Sequence, residues 1–272
     1  MTVFGTRRPP MFGHERGIFM LRSLYTAGTA MLTQSRQMDV ISNNLTNVET
    51  NGFRADNLVS QSFRDMLIAR FSDPYVYQSS DVGPHNTGIH IDRVYTSFTQ
   101  GTLESTGLAT DLALTGDGFF VIGTPGGERY TRAGDFIVDS SGYLLTPLGM
   151  YVMGVDGPVV VGGDDNFTVG RDGTVTAADG TPAGRLRIVT FPDNGALRKE
   201  KDTLFYNIDP AGNPPADTTV EVKQYYLESA NVDATREMVQ LITVYRSYEA
   251  NQRILRMLDE SLGRAVNDIA KV

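Results

Sequence analysis

Four apolar residues recur at intervals of seven near the start of the chain: Leu24, Met31, Met38 and Leu45. Leu21, Tyr25, Gly28, Leu32 and Ile41 widen that stripe, while Thr33, Gln34, Arg36, Gln37 and Asp39 fill the opposite face. This is helical periodicity, and it predicts an amphipathic helix over about 20–47. The helix runs into ISNNLTNVETNGFR, 41–54, which holds Asn43, Asn44, Asn47, Asn51 and Gly52. Asn and Gly tolerate the left-handed backbone, so they suit a helix C-terminus and the turn after it.

The pattern then changes twice. Over 53–80, Phe63, Met66, Leu67 and Phe71 either extend a helix or pack as a loop, and SSDVGPHNTGIH at 79–90 predicts an irregular connector. From about 91 to 222 the period is that of β structure. Leu112, Leu114 and the run Phe119–Ile122 flank Gly116-Asp117-Gly118, a strand, tight turn and strand. Similar punctuation falls at Ser141-Gly142, Asp156-Gly157, Asp172-Gly173 and Asp179-Gly180. Many short strands joined by turns predict an all-β domain with a twisted or barrel-like sheet. After a Pro-rich loop at 210–217 the helical period returns. Leu241, Tyr248, Leu255, Leu262 and Ile269 repeat every seven residues, and Met238, Tyr245 and Val266 are read as the second seam position, which Gln252 and Asp259 interrupt. The predicted helix spans about 233–268, with Asn231 or Asp233 as its cap and Glu237 near the positive end of its dipole.

The expected class is therefore α+β: long N- and C-terminal helices pairing in a coiled-coil-like layer, with a central all-β domain. Five segments follow: a flexible extension (1–19), the N-terminal helix and Asn-rich turn (20–60), a partly irregular connector (61–105), the β domain (106–222) and the C-terminal helix (223–272). The β domain is too short to cover both apolar stripes. The helices must then pack on each other, on other copies, or on other proteins.

Composition narrows the chemistry. Net charge is −8, which argues against a nucleic-acid surface and against docking on anionic lipid. There is no cysteine, which excludes disulfides, thiolate metal sites and cysteine nucleophiles. No run approaches the ~18 apolar residues of a membrane span. Arg7 and Arg8 are followed by Pro9, Pro10, Gly13 and charged residues, so no cleaved signal peptide is predicted, and the regular pattern starts at Met20. His14, His85 and His90 lack metal-ligand spacing, and His85 and His90 are expected in a solvated loop. The Asp-Gly pairs at Asp117, Asp156, Asp172 and Asp179 are irregularly spaced, which favours turn chemistry over calcium repeats. Gly123-Thr-Pro-Gly126-Gly127 has neither the dinucleotide nor the phosphate-loop pattern. No catalytic, cofactor or metal residue is singled out, and no enzyme is expected.

Four blocks, in order, carry a resemblance. MLRSLYTAGTAMLTQSRQMDVISNNLTNVETNGFR (20–54) resembles the N-terminus of bacterial flagellar rod and hook proteins, with Asn43-Asn44-Leu45, Asn47 and Thr50-Asn51-Gly52-Phe53 matching the family's asparagine-rich signature. TGLATDLALTGDGFFVI (106–122), YTRAGDFIVDSSGYLLTPLGMYVMG (130–154) and LESANVDATREMVQLITVYRSYEANQRIL (227–255) are similar to its later blocks. Length and blocks look most like rod proteins, the distal one first and the proximal one next; the longer hook-type protein is the alternative.

The resemblance implies a structural subunit of the flagellar basal body, exported by the flagellum's own apparatus without a cleaved signal peptide. Its terminal helices would line a hollow tube that conducts exported subunits and transmits torque to the hook. Implied partners are other copies of itself, other rod proteins, hook protein, the export apparatus and ring (bushing) proteins, with no cofactor. The residues expected at the assembly interface are Leu24, Met31, Met38, Asn43, Asn44, Leu45, Asn47, Gly52, Phe53, Met238, Leu241, Tyr245, Tyr248, Leu255 and Leu262. Of the amides, Asn44 and Asn47 are expected to bridge to other chain segments. Rival readings are a secreted β-rich surface interaction module and a carbohydrate-active enzyme using two acids.

Overall fold

A computed structural model of the protein describes residues 14–63, 66–70, 80–85, 88–163, 167–201, 203–208 and 219–269. The chain is α+β. Helix α1 spans His14–Thr46 and helix α2 spans Ala234–Ile269, with the β structure between them. Helix α1 starts six residues ahead of the expected Met20, so the segment read as a flexible extension is helical from His14 onward; residues 1–13 and the Pro-rich loop lie outside the described residues.

Two compact units emerge. One comprises 1–41, 58–94 and 239–272; the other comprises 42–57 and 95–238. The Asn-rich turn therefore belongs with the β body and not with most of α1.

The described residues from 56 to 105 are largely β, with no regular structure at 97–102. They contain β1 (Asp56–Ser62), β2 (Met66–Arg70), β3 (Ser80–His85) and β4 (Ile89–Thr96), with β1 paired to β4 and β2 to β3. Met66 and Leu67 thus lie in a strand, while Phe71 is outside the described residues. His85 and His90 are strand residues rather than loop residues, and the His90 ring lies 5.0 Å from that of Phe63. The Gly-Pro content of 79–90 suggested a breaker; antiparallel pairing with a register shift at Ile68/Ala69 accommodates it.

Within the β body the expected strand–turn–strand around Gly116-Asp117-Gly118 is a corner, not a hairpin. Strand β6, which follows the short β5 (Leu103–Ser105), is Leu112–Thr115 and pairs with Glu221–Gln224. Strand β7 (Phe119–Thr124) pairs instead with β8 (Gly127–Thr131), in an eight-stranded sheet. The corner needs Gly118, because a Cβ there would come within 2.9 Å of the Ile188 and Val220 side chains.

Strand β7 is covered on both sides, so its sequence reads as a continuous apolar run rather than an alternation. Phe120 and Ile122 pack with Leu144, Val152 and Phe136 in the larger core, and Phe119 and Val121 pack with Tyr130, Leu197 and Phe205 in the smaller one. Each buried side chain of this size stabilises the fold by roughly 1.5–3 kcal/mol. Asp172 and Asp179 close their turns as Asx motifs, accepting from the backbone and hydroxyl of Thr174 and Thr181.

Candidate assembly site

Helix α2 shows which of its faces is covered. Val244 is buried, and Leu241, Tyr248, Asn251, Leu255, Leu258 and Leu262 are half-buried. These seven positions step by three and four residues in turn, the spacing of a coiled-coil seam. The first series read from the sequence, Leu241, Tyr248, Leu255 and Leu262, is among these positions. The second is not: Met238, Tyr245 and Val266 are 50%, 53% and 63% exposed, and the covered stripe passes through Val244, Asn251 and Leu258. The misreading has a simple cause, since Asn251 breaks the apolar run at the true position while Met238 and Tyr245 supply one beside it.

Helix α1 behaves the same way. Ala27, Thr33, Ile41 and Asn44 are buried, and Ala30, Gln34 and Gln37 are half-buried between them. The seven-residue series of larger side chains lies on the flank of that stripe: Met31, Met38 and Leu45 are half-buried, and Leu24 is exposed. Small and amide side chains at the stripe's centre leave little apolar area to bury. In the helical unit, Asn251 Nδ2 donates to Gln34 Oε1 at 3.0 Å, joining α2 to α1 through two polar residues. Tyr25, Leu32 and, on α2, Ile242 and Met257 remain exposed, a larger apolar display than scattered single residues require.

The Asn-rich turn is built residue by residue against the β body. Asn43 is exposed, and its carbonyl accepts from the Asn47 backbone at 3.2 Å and from Asn47 Nδ2 at 3.0 Å. Asn47 is buried but stays local, its Oδ1 taking the Thr50 hydroxyl. Asn44 does bridge: Nδ2 donates to the Asp56 carbonyl and Oδ1 accepts from the Asp56 N–H, both at 2.9 Å. The carboxamide thus imitates a strand neighbour for Asp56, with its donor and its acceptor on two separate atoms.

Gly52 follows at φ 67°, and a Cβ there would overlap the Ala133 backbone nitrogen. Its N–H donates to the Glu228 carbonyl at 2.7 Å. Phe53 is fully buried with Lys199 Nζ 3.9 Å above its ring. That ammonium also donates to the Arg54 carbonyl at 2.8 Å and pairs with Asp56 at 2.9 Å.

Beneath the turn lies a buried charge cluster that sequence reasoning missed. Arg54 Nη2 meets Glu228 Oε1 at 2.6 Å, and Arg132 Nη1 meets Glu228 Oε2 at 3.3 Å. The Gly101 N–H adds a third donor to Glu228 at 2.8 Å, and Arg132 also donates to the Gly116 carbonyl. Burial pulls the Arg132 guanidinium down to about 10, against the opposing pull of Glu228. Two cations share one anion here. The signal was present, because Arg54 and Glu228 both lie inside quoted blocks, but no sequence spacing reveals a pair 174 positions apart.

At the start of α2, Asp233 Oδ1 caps the N–H groups of Thr235 and Arg236 at 3.0 and 3.2 Å. Asn231 has a different task. Its Oδ1 accepts from the Ala55 N–H at 2.7 Å, and its Nδ2 donates to the Ser97 and Thr99 carbonyls at 2.9 and 3.0 Å.

The features on display among the described residues are anchored helix ends and uncovered apolar faces. Comparison with known proteins agrees in kind. Three family profiles match in order: "Flagella basal body rod protein" at 24–54, "Flagellar hook protein FlgE/F/G D1 domain" at 113–177, and "Flagellar basal body rod FlgEFG protein C-terminal" at 223–268. The chain is 34% identical to the flagellar basal-body rod protein FlgG of Bacillus subtilis over 265 residues, covering 91% of this chain and 99% of the relative. It is 33% identical to FlgG of Agrobacterium fabrum, covering 88% and 96%. It is 31% identical to the flagellar basal-body rod protein FlgF of Caulobacter vibrioides, covering 93% and 100%.

Proposed function

The chain belongs to the flagellar basal-body rod protein family, and from that premise we propose that this structural rod subunit polymerises through the exposed apolar faces of its two terminal helices. The observation that carries this is the display on α2 of Met238, Ile242 and Tyr245, each at least half exposed and all on one side of the helix, beside a separate covered stripe. A helix with one apolar stripe needs one partner; a helix with two needs a second.

In this reading α1 and α2 pair in a coiled-coil-like layer around a hollow tube. Stacking is helical and open, since a head-to-tail contact that does not close makes a filament. The interface set is the one expected from the sequence: Leu24, Met31, Met38, Asn43, Leu45, Met238 and Tyr245 toward other copies, and Leu241, Tyr248, Leu255 and Leu262 within the helical layer. Asn44, Asn47, Gly52 and Phe53 anchor the end of α1. The tube transmits torque and conducts exported subunits. Partners are other rod proteins, hook protein and ring proteins, with export by the flagellar apparatus, and the distal position is the first assignment. No catalysis is proposed.

The test is complementation of a strain lacking its own copy of this gene, followed by isolation of basal bodies. Recovery of the chain in purified rods together with restored swimming supports the reading. A chain that is exported but found only on the cell surface would favour a surface module, and one found in the hook would favour the hook-type alternative.

A further inference from the structure

The covalent chain passes between the two units four times, at 41–42, 57–58, 94–95 and 238–239. On the side of the β body, the four segments that make those passages are hydrogen-bonded to one another. Asn44, leaving α1, bonds reciprocally with Asp56 at the start of β1. Asp56 Oδ1 accepts the Thr96 hydroxyl at 2.7 Å at the end of β4, and the adjacent Ser97 N–H donates to the Ala55 carbonyl at 2.8 Å. Asn231, leading into α2, closes the circuit by holding Ala55 and Ser97 together. Lys199 reaches in from the β body to Arg54 and Asp56. Every link is a polar bond to backbone or to Asp56. Two of the bridging side chains are carboxamides, which can donate and accept at once.

We infer that Asn44, Asp56, Ser97 and Asn231 form a single cooperative joint, and that load on the subunit passes through it. The load-carrying half of this rests on the rod function proposed above. The cooperative half rests on geometry alone. Four separately tethered segments would each yield to a pull independently. Here Ala55, Ser97 and Asn231 are linked in a closed triangle to which Asn44 is joined through Asp56, and segments bonded in this way share the strain, because displacing one requires breaking bonds on its neighbours. This also explains why Asn231 is not the helix cap that its position suggests: Asp233 caps α2, which leaves the Asn231 carboxamide to the joint.

The test is amide-resolved hydrogen exchange on the purified full chain carrying Asn231→Ala. That change removes the acceptor of the Ala55 N–H and the donor to the Ser97 and Thr99 carbonyls, and leaves both bonds between Asn44 and Asp56 in place. A cooperative joint predicts faster exchange, roughly tenfold, at Ala55 and also at Asp56, whose acceptor on Asn44 is intact and which Asn231 does not touch. Exchange that rises at Ala55 and Ser97 while Asp56 stays as in wild type overturns the inference. Should Asn231→Ala aggregate, Asn44→Ser asks the same question from the other side, with Asp56 as the directly affected amide and Ala55 and Ser97 as the reporters. The load half is read in cells, by swimming at raised viscosity. If wild type restores rods and Asn231→Ala swims as well as wild type under load, the joint carries no special load. If wild type itself does not enter rods, the rod reading fails and the exchange result stands unaffected.

Discussion

The Arg54 guanidinium meets the Glu228 carboxylate at 2.6 Å, and neither side chain has any exposed surface. Arg132 shares the same carboxylate. The three residues are not equivalent, because the pocket holds two positive charges and one negative. Removing Glu228 leaves both cations uncompensated; removing Arg54 leaves a balanced pair. Glu228→Gln should therefore cost about 3–5 kcal/mol of unfolding free energy, and Arg54→Met distinctly less. Urea melts of the two variants decide it, and equal or inverted losses would contradict the charge count.

Two glycines near the N-terminus should respond to alanine in opposite directions. Gly52 sits at φ 67°, with the Ala133 backbone where a Cβ would go. Left-handed backbone alone costs an L-residue about 1–2 kcal/mol, and backbone cannot swing aside as a side chain can. Gly52→Ala should destabilise by more than about 2 kcal/mol and free the turn at 50–56. Gly28 lies inside α1 with open space around its Cα. Gly28→Ala should raise the helicity of α1, by about 0.5–1 kcal/mol of stability. Circular dichroism with denaturant melts would show both signs.

How much of this was legible beforehand follows from what each feature depends on. The helices, the turn at 43–52 and the β body rest on local period and local backbone preference, and those are visible in a sequence. The true second seam position was hidden because Asn251 occupies it, while Met238 and Tyr245 imitate it one residue away. The strands at 56–96 were hidden because Gly and Pro punctuate them and the pairing that stabilises them is not local. Arg54, Glu228, Lys199 and Asn231 were in view as letters of a motif. Their tasks depend on contacts across more than a hundred residues, which no spacing encodes. Asn44 and Asn47 looked alike and proved different, since only Asn44 has a strand beside it to bond.

Asp135 gives a pH dependence of known sign. Its carboxyl is raised above the usual carboxylate range, first by burial and further by the nearby Asp111, with which its backbone bridges, while a backbone hydrogen bond opposes the rise. A raised pKa in the fold means that the folded state holds its proton to higher pH than the unfolded chain. Its contribution is greatest below the unfolded value and is lost as pH rises through the folded one. Asp135→Asn should thus stabilise the protein at neutral pH and give little gain once both states are protonated in acid. Melting curves of both proteins from neutral to acidic pH would reveal the convergence, and a constant offset would mean that the gain is not electrostatic.

The two faces of α2 can be separated by placing the same charge on each. Leu255 lies on the covered seam, whereas Tyr245 is 53% exposed on the other apolar face. An aspartate at 255 puts a carboxylate where the helix is already half-buried, so it should disturb the monomer: α2 should lose protection from exchange, and rods should not form. An aspartate at 245 meets water in the monomer and should leave its melt and its exchange pattern within about 0.5 kcal/mol of wild type. In an assembled rod the same carboxylate would be desolvated against a neighbour, at a cost of several kcal/mol unless a cation meets it. Tyr245→Asp should therefore fold normally and still fail to enter rods. Leu241→Asp and Met238→Asp repeat the comparison nearer the start of α2, on the seam and on the exposed face respectively. If Tyr245→Asp and Met238→Asp both build full-length rods, the exposed face of α2 is not the contact between copies, and the second partner must be sought on Tyr25 and Leu32 of α1 instead.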